Sequence, residues 1–168
     1  MYKENDMILY GSQGVCRIVG MTSREFGGNM IDYYILKPVY SEGSTVFVPV
    51  NNEELTSKMK KILSLDEVKA LIQTMPEMEL IWIDNDNRRK EKYKEIIKNG
   101  NRNELISLIK TLYKHRESLV ENGKKFHATD EKFLQDAEKI LYDEFKYVLN
   151  IKEEEVVPFI IEQIEMVS

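Results

Sequence analysis

The sequence contains a single cysteine, Cys16, so no disulfide can form within the chain. Such a chain suits a reducing compartment, and we expect a cytoplasmic protein. No apolar run approaches the roughly 20 residues that span a bilayer, and the N-terminal residues lack the apolar core of a signal peptide. These absences argue against membrane and secreted proteins. Cys16 lies in an apolar alternating run, where a lone cysteine is usually a small core residue.

Side chains that carry out chemistry are also few. Histidine occurs twice, as His115 and His127, and neither has a cysteine, histidine or carboxylate at metal-ligand spacing. We expect both side chains to be solvated or locally hydrogen-bonded. No glycine-rich phosphate loop and no nucleophile-elbow motif occurs. The sequence therefore predicts no metal, no other cofactor, no small-molecule substrate and no enzymatic reaction.

Charged residues are abundant, at 32% of a chain that is 42% hydrophobic. This balance is typical of a folded protein and excludes disorder over most of the length. The net charge of −5 argues against coating of nucleic acid, but residues 88–98 carry six basic side chains against two acidic ones. A local basic stripe on an acidic protein indicates contact with a polyanion at one place.

The first part of the chain, residues 1–52, has the pattern of β-structure, in which short apolar runs are separated by turn signals. The predicted strands are 7–10, 15–21, 31–39 and 45–50. Gly27 and Gly28 can adopt the positive φ angles of a hairpin turn. Strands this short cannot bury both faces of a flat sheet, so we predict a small SH3-like or Tudor-like antiparallel β-barrel.

The hydrophobic period changes after residue 52 from that of strands to that of helices, which predicts a domain boundary and an all-α domain over 53–168. A linker and a first short helix occupy about 53–86. Ser64 and Glu67 form a capping box that opens this helix, and Pro76 closes it. The predicted fold class is therefore α+β in two domains.

Further helices follow in the second domain. They are predicted over 88–99 and ended by Gly100, from an N-cap at Asn103 to Gly123, and from near Thr129 to residue 149. In the tail, Pro158 predicts a short or kinked last helix.

The only tryptophan, Trp82, lies in the linker just before the basic helix. A lone tryptophan most often fills the core between helices. An aromatic side chain followed by basic residues also suits insertion at a DNA base step beside phosphate contacts. The residues alone leave both interpretations open. The candidate basic side chains are Arg88, Arg89 and Lys92, which without DNA would form a solvated helix face.

Residues 8–18 read ILYGSQGVCRI and resemble the opening of the CarD-like (CdnL-type) bacterial transcription regulators, which commonly carry a proline where Gly11 stands. Residues 32–36 and 46–50 resemble the next two strands of that family. In the helical part, the segment from Trp82 to Arg89 and the helices after it match in order and spacing. The resemblance covers roughly residues 5–150.

This resemblance implies a regulator that catalyses no reaction. In this family a Tudor-like N-terminal domain binds the β subunit of RNA polymerase. The helical domain meets promoter DNA at the upstream edge of the transcription bubble, where a tryptophan wedges into the minor groove and basic residues hold phosphates. The open promoter complex becomes more stable. Such a protein is associated with the nucleoid through RNA polymerase.

The resemblance also assigns residues by position. Trp82 is the wedge, and Arg88, Arg89 and Lys92 contact DNA beside it. Many members place the tryptophan closer to the basic residue, so residues 84–87 have to bring Trp82 round to the side that faces DNA. In the first domain, Arg24 matches an arginine that contacts polymerase in some members.

Phe47 stands where those members have a second arginine, which favours a hydrophobic contact at this position. A competing hypothesis is a protein–protein adaptor whose two domains each bind a partner without touching DNA. Salt dependence separates these hypotheses, because phosphate contacts weaken as salt rises. An enzyme with an unfamiliar site is the third and least favoured interpretation.

Overall fold

The computed structural model describes residues 2–167 and divides into two compact units between Ile62 and Leu63. We call them the strand unit and the helical unit. An antiparallel sheet forms the first and α-helices form most of the second, which confirms the predicted α+β class. The division lies at residue 62 rather than at residue 52, because a strand over Met59–Lys61 joins the sheet of the first unit.

Among the described residues, the strand unit contains one five-stranded sheet. Its strands are β1 Met7–Tyr10, β2 Val15–Phe26, β3 Asn29–Pro38, β4 Val46–Pro49 and β5 Met59–Lys61. Neighbours pair antiparallel in the order β4-β3-β2-β1-β5. Gly27 and Gly28 have positive φ and form the turn between β2 and β3, as predicted. A four-residue helix, α1 Glu53–Thr56, precedes β5.

The main core cluster of the strand unit lies on one face of this sheet, while the paired residues Leu9 and Val15 are buried on the other face. It consists of Ile8, Cys16, Ile18, Tyr34, Leu36, Val48 and Met59. Cys16 is a core residue as predicted, and burial raises the pKa of its thiol to about 12. The edge strands β4 and β5 both contribute to this one cluster, so the sheet is curved. The sheet is not closed by pairing between the described residues of β4 and β5, and the barrel stays a prediction.

The helical unit is built from five longer helices. They are α2 Leu65–Thr74, α3 Asp86–Asn99, α4 Arg102–Glu121, α5 Ala128–Leu149 and α6 Glu153–Glu165. The Ser64 capping box is present, since the Ser64 hydroxyl accepts from the Glu67 N–H and the Glu67 carboxylate accepts from the Ser64 N–H. Asn85 caps α3, and Gly100 ends it in the left-handed conformation at φ 68°. These local signals are confirmed.

One predicted helix boundary is wrong. The N-cap of α4 is Asn101 and not Asn103, because the Asn101 side chain accepts the Glu104 N–H at 3.0 Å. Helix α6 runs through Pro158 over its 13 residues, so the proline does not end it. Pro158 cannot donate to the carbonyl of Glu154 one turn earlier, but Glu154 is exposed, so water can take that hydrogen bond.

A buried ion pair joins the two longest helices of the helical unit. Glu144 of α5 is fully buried and accepts two hydrogen bonds, both of 2.7 Å, from the guanidinium of Arg102 at the start of α4. The same carboxylate accepts the backbone N–H of Leu63 at 3.1 Å. Glu144 therefore connects the first residue of the unit to both helices.

Candidate functional site

Trp82 lies in an extended segment that connects a short 3-10 turn, Met75–Glu77, to α3. Side chains alternate along this segment, with Ile81 and Ile83 half-buried and Trp82 between them turned outward. Ile81 packs against the core of the helical unit. Trp82 is 39% exposed, so it is displayed at the surface and does not plug the core.

Three side chains hold the backbone on either side of Trp82. The N–H of Ile81 donates to the hydroxyl of Thr111 on α4 at 2.9 Å. Its carbonyl accepts from the hydroxyl of Tyr93 on α3 at 3.2 Å. The carbonyl of Ile83 accepts from the guanidinium of Arg89 at 3.0 Å. Because Thr111 and Tyr93 are themselves buried in helices, the segment is fixed although it has no regular structure.

The indole ring of Trp82 has three further partners. Its N–H donates to the Asp84 carboxylate at 3.1 Å. The guanidinium carbon of Arg89 lies 4.4 Å from its centroid, within the range of cation–π attraction. The imidazole of His115 on α4 stacks on it at 4.0 Å between centroids, with 30° between the planes. The ring is therefore exposed and held at the same time.

Arg89 is buried under this arrangement and is only 6% exposed. Its guanidinium lies 2.9 Å from the Asp86 carboxylate and 3.9 Å from that of Asp130, which is also buried. Its Nη1 donates to the Ile83 carbonyl and its Nη2 pairs with Asp86, whereas its Nε faces Asp130 without forming a hydrogen bond. Arg89 thus holds Trp82 from inside the helical unit.

Arg88 and Lys92 lie one turn apart on α3, on the same side of the helix. Arg88 is exposed beside the N-cap, and Lys92 is half-exposed, with its ammonium 3.8 Å from the Glu104 carboxylate. A solvated pair at this distance contributes little, so Lys92 is available to another anion. The structure therefore brings Trp82 and Arg89 together and leaves Arg88 and Lys92 in solvent.

The sequence predicts a solvated or locally hydrogen-bonded His115, but the imidazole stacks on the Trp82 ring instead. Burial lowers the pKa of its imidazole. The positive charges of Arg89 and His127 add to that effect, and Asp130 opposes it. Nothing in the sequence near His115 signals this contact, because it depends on how α4 packs against the segment that carries Trp82.

The two candidate residues of the strand unit also meet. Arg24 on β2 and Phe47 on β4 lie on either side of β3, on the face of the sheet opposite the core. The Arg24 guanidinium carbon lies 4.4 Å from the centroid of the Phe47 ring. Tyr33 of β3 contacts the same ring edge-on at 6.4 Å. Phe47 is 38% exposed, so the three side chains form a cationic and aromatic surface, the Arg24–Phe47 face.

The helical unit also contains an apolar cavity of about 480 Å³ among α4, α5 and α6. Lys110 at its rim donates to the carbonyls of Met75, Pro76 and Met78, which end α2 and the 3-10 turn. None of the lining residues is a predicted site residue. Within residues 2–167, no group of three or more His, Cys, Asp or Glu side chains is arranged to hold a metal ion.

Across the part of the chain that the structure describes, no helix combines the length and apolarity needed to cross a bilayer.

Comparison with protein families gives two matches. Residues 2–63 match the CarD-like/TRCF RID domain, and residues 69–160 match the CarD C-terminal domain. The chain belongs to the CarD-like family. The two matched regions correspond to the strand unit and the helical unit.

Membership in the CarD-like family identifies the chain as a transcription-associated regulator that interacts with RNA polymerase. The family is one of transcription factors and not of enzymes. A comparison with curated proteins gives no significant match.

Proposed function

We propose that the chain binds the β subunit of RNA polymerase through the strand unit and stabilises the open promoter complex through the helical unit. One observation carries the second half of this function. A single tryptophan is exposed and fixed in place at the start of a basic helix. A large apolar side chain that is half-exposed and rigid fits a wedge between base pairs better than it fits a core.

The Arg24–Phe47 face is the proposed contact with the β subunit. Aromatic and arginine side chains are the residue types that contribute most at protein interfaces. Phe47 presents an exposed ring, while Arg24 and Tyr33 hold it from two sides. The face therefore offers the β subunit an apolar ring, that of Phe47, with the positive charge of Arg24 beside it.

The proposed DNA contact lies at the upstream edge of the transcription bubble. Trp82 enters the minor groove at a base step, and Arg88 and Lys92 contact phosphates beside it. Arg89 supports the indole ring, since its guanidinium lies 4.4 Å from the ring centroid and is itself held by the Ile83 carbonyl and the Asp86 carboxylate. Phosphate contacts fix the position of a protein on the duplex but carry little sequence information.

The charge of the chain agrees with a protein that reaches DNA through polymerase. At a net charge of −5, the chain has no general attraction to nucleic acid. Binding to polymerase places the helical unit at the promoter at high effective concentration, so two phosphate contacts and one wedge are sufficient. Stabilisation of the open complex requires no chemical step.

Phe47→Asp should weaken binding of the full chain to RNA polymerase by roughly tenfold or more, because a charge would replace an exposed anchor ring. Titration of labelled chain with core polymerase measures this. Glu42→Ala, in the exposed turn before β4, is the matched control and should bind like the wild type. Equal affinity of all three proteins would rule out the Arg24–Phe47 face as the docking surface.

Arg88→Glu and Lys92→Glu should each make open-complex stabilisation less sensitive to salt, because each removes one phosphate contact. The slope of the logarithm of the stabilisation against the logarithm of the salt concentration should fall by about one for each change. The measurement compares complex lifetimes with and without the chain over a range of salt concentrations. Lys94→Glu makes the same charge change on another face of α3 and should have no effect. Equal effects of all three reversals, or no salt dependence in the wild type, would favour an adaptor that does not touch DNA.

A further inference from the structure

We infer that His115 is a positioning residue that holds the Trp82 ring in the orientation in which it meets DNA. The inference rests on the proposed function of Trp82, since the orientation of the ring matters only if the ring is used. His115 itself need not touch DNA, because its role is carried out through the indole.

The contact between the two rings is close and comes from a separate element. Trp82 belongs to the segment before α3, whereas His115 belongs to the C-terminal half of α4. The centroids are 4.0 Å apart, and the planes are inclined by 30°, which is a near-stacked arrangement. The backbone bonds at Ile81 and Ile83 fix where the side chain starts but leave its torsions free. The stack on His115 restricts those torsions, together with the hydrogen bond to Asp84 and the contact with Arg89.

His115 is itself held by the residues beyond it. The Phe126 ring lies 6.3 Å from the imidazole, inclined by 60°, in the connection between α4 and α5. The guanidinium of Arg116 lies 5.9 Å from the Phe126 ring and 4.8 Å from that of Tyr113. His115 therefore stands in a row of ring and cation contacts that runs from Arg89 through Trp82 to Arg116.

The physical gain is pre-organisation. An exposed tryptophan on an irregular segment samples several rotamers, and insertion into DNA selects one of them. Selecting one rotamer costs conformational entropy, and a ring that is already ordered in the folded protein does not lose this entropy when it binds DNA. His115 is suited to this task because its flat ring covers the indole. Burial lowers the pKa of its imidazole, and this favours the neutral ring next to the guanidinium of Arg89.

The test uses three replacements of His115 in the full chain. Alanine removes the ring, glutamine keeps a polar side chain of similar size without a ring, and phenylalanine keeps a flat ring. Ser118→Ala, at an exposed position of the same helix, is the control. Open-complex lifetime should fall roughly three- to tenfold for alanine and glutamine, since an aromatic pair contributes on this scale. Phenylalanine and the control should match the wild type.

Fluorescence gives a second readout, because Trp82 is the only tryptophan. The anisotropy decay of the free protein should show faster local motion of the indole in His115→Ala and His115→Gln, and wild-type motion in His115→Phe. A residue that only stabilised the fold would lower the melting temperature of all ring-free variants without this local signature.

A double mutant separates the inference from the proposed function. In a Trp82→Ala background, His115→Gln should cause no additional loss of open-complex lifetime. If Trp82→Ala alone leaves the lifetime unchanged, the proposed function fails. If Trp82→Ala shortens the lifetime but His115→Gln does not, only the role of His115 is overturned. An equally impaired His115→Phe variant would overturn it as well.

Discussion

Trp82→Ala shortens the lifetime of the open promoter complex at least about tenfold, if the ring acts as a wedge. Unstacking a base step costs a few kcal/mol and is offset by the contacts that the wedge permits, and 1.4 kcal/mol corresponds to a factor of ten. The alanine variant keeps the basic helix but loses the indole ring, which in the proposed function stabilises the unstacked base step. Binding to RNA polymerase stays unchanged, since the Arg24–Phe47 face belongs to the other unit.

The measurement is the decay of open complexes after addition of a competitor, at saturating concentrations of the chain. Leu80→Ala is the matched control, because Leu80 is also exposed and lies on the same segment. The structure predicts a folded Trp82→Ala protein, since the ring lies at the surface and not in the core. Loss of the folded state in this variant would make Trp82 a core residue and contradict the wedge.

Glu144→Ala destabilises the helical unit by about 3–5 kcal/mol, because it breaks a buried ion pair that is held by two hydrogen bonds of 2.7 Å from the Arg102 guanidinium. The change also removes the acceptor of the Leu63 N–H. Urea denaturation followed by Trp82 fluorescence reports on this unit, since the tryptophan lies within it. The midpoint should move to a much lower urea concentration.

Asp136→Ala on the same helix is the control for this change. Asp136 pairs with Lys132 at 2.8 Å, but both side chains are solvated. An exposed pair four residues apart on a helix contributes only about 0.3–0.5 kcal/mol. If the two replacements lowered the free energy of unfolding by similar amounts, the buried ion pair of Glu144 would not be a main stabilising contact between α4 and α5.

Local signals in the sequence predict much of this fold. The capping box at Ser64, the glycine at the end of α3 and the turn between β2 and β3 depend on neighbouring residues only, and all three are present. Strand β5 cannot be predicted in this way, because Met59–Lys61 is too short to show an alternation of apolar and polar residues. Its pairing with β1 is a tertiary contact, and this contact places the end of the first unit at residue 62.

The candidate site shows the same division between local and tertiary information. The position of Trp82 before a basic helix is visible in the sequence, but its exposure depends on Thr111 and Tyr93, which hold the backbone of Ile81. Arg88 and Arg89 look equivalent in the sequence. Neighbouring residues on a helix point about 100° apart, so one reaches solvent and the other reaches Asp130 of α5.

In the proposed function, RNA polymerase brings the Trp82 surface to promoter DNA. Site-specific photocrosslinking from position 82 tests it most directly, with a benzophenone amino acid in place of the indole and Leu80 as the control position. Crosslinks to the upstream edge of the bubble should form with RNA polymerase present, disappear without it and weaken with Phe47→Asp. Absence of DNA crosslinks in a complex that contains the chain, or equal crosslinking without polymerase, would contradict the claim.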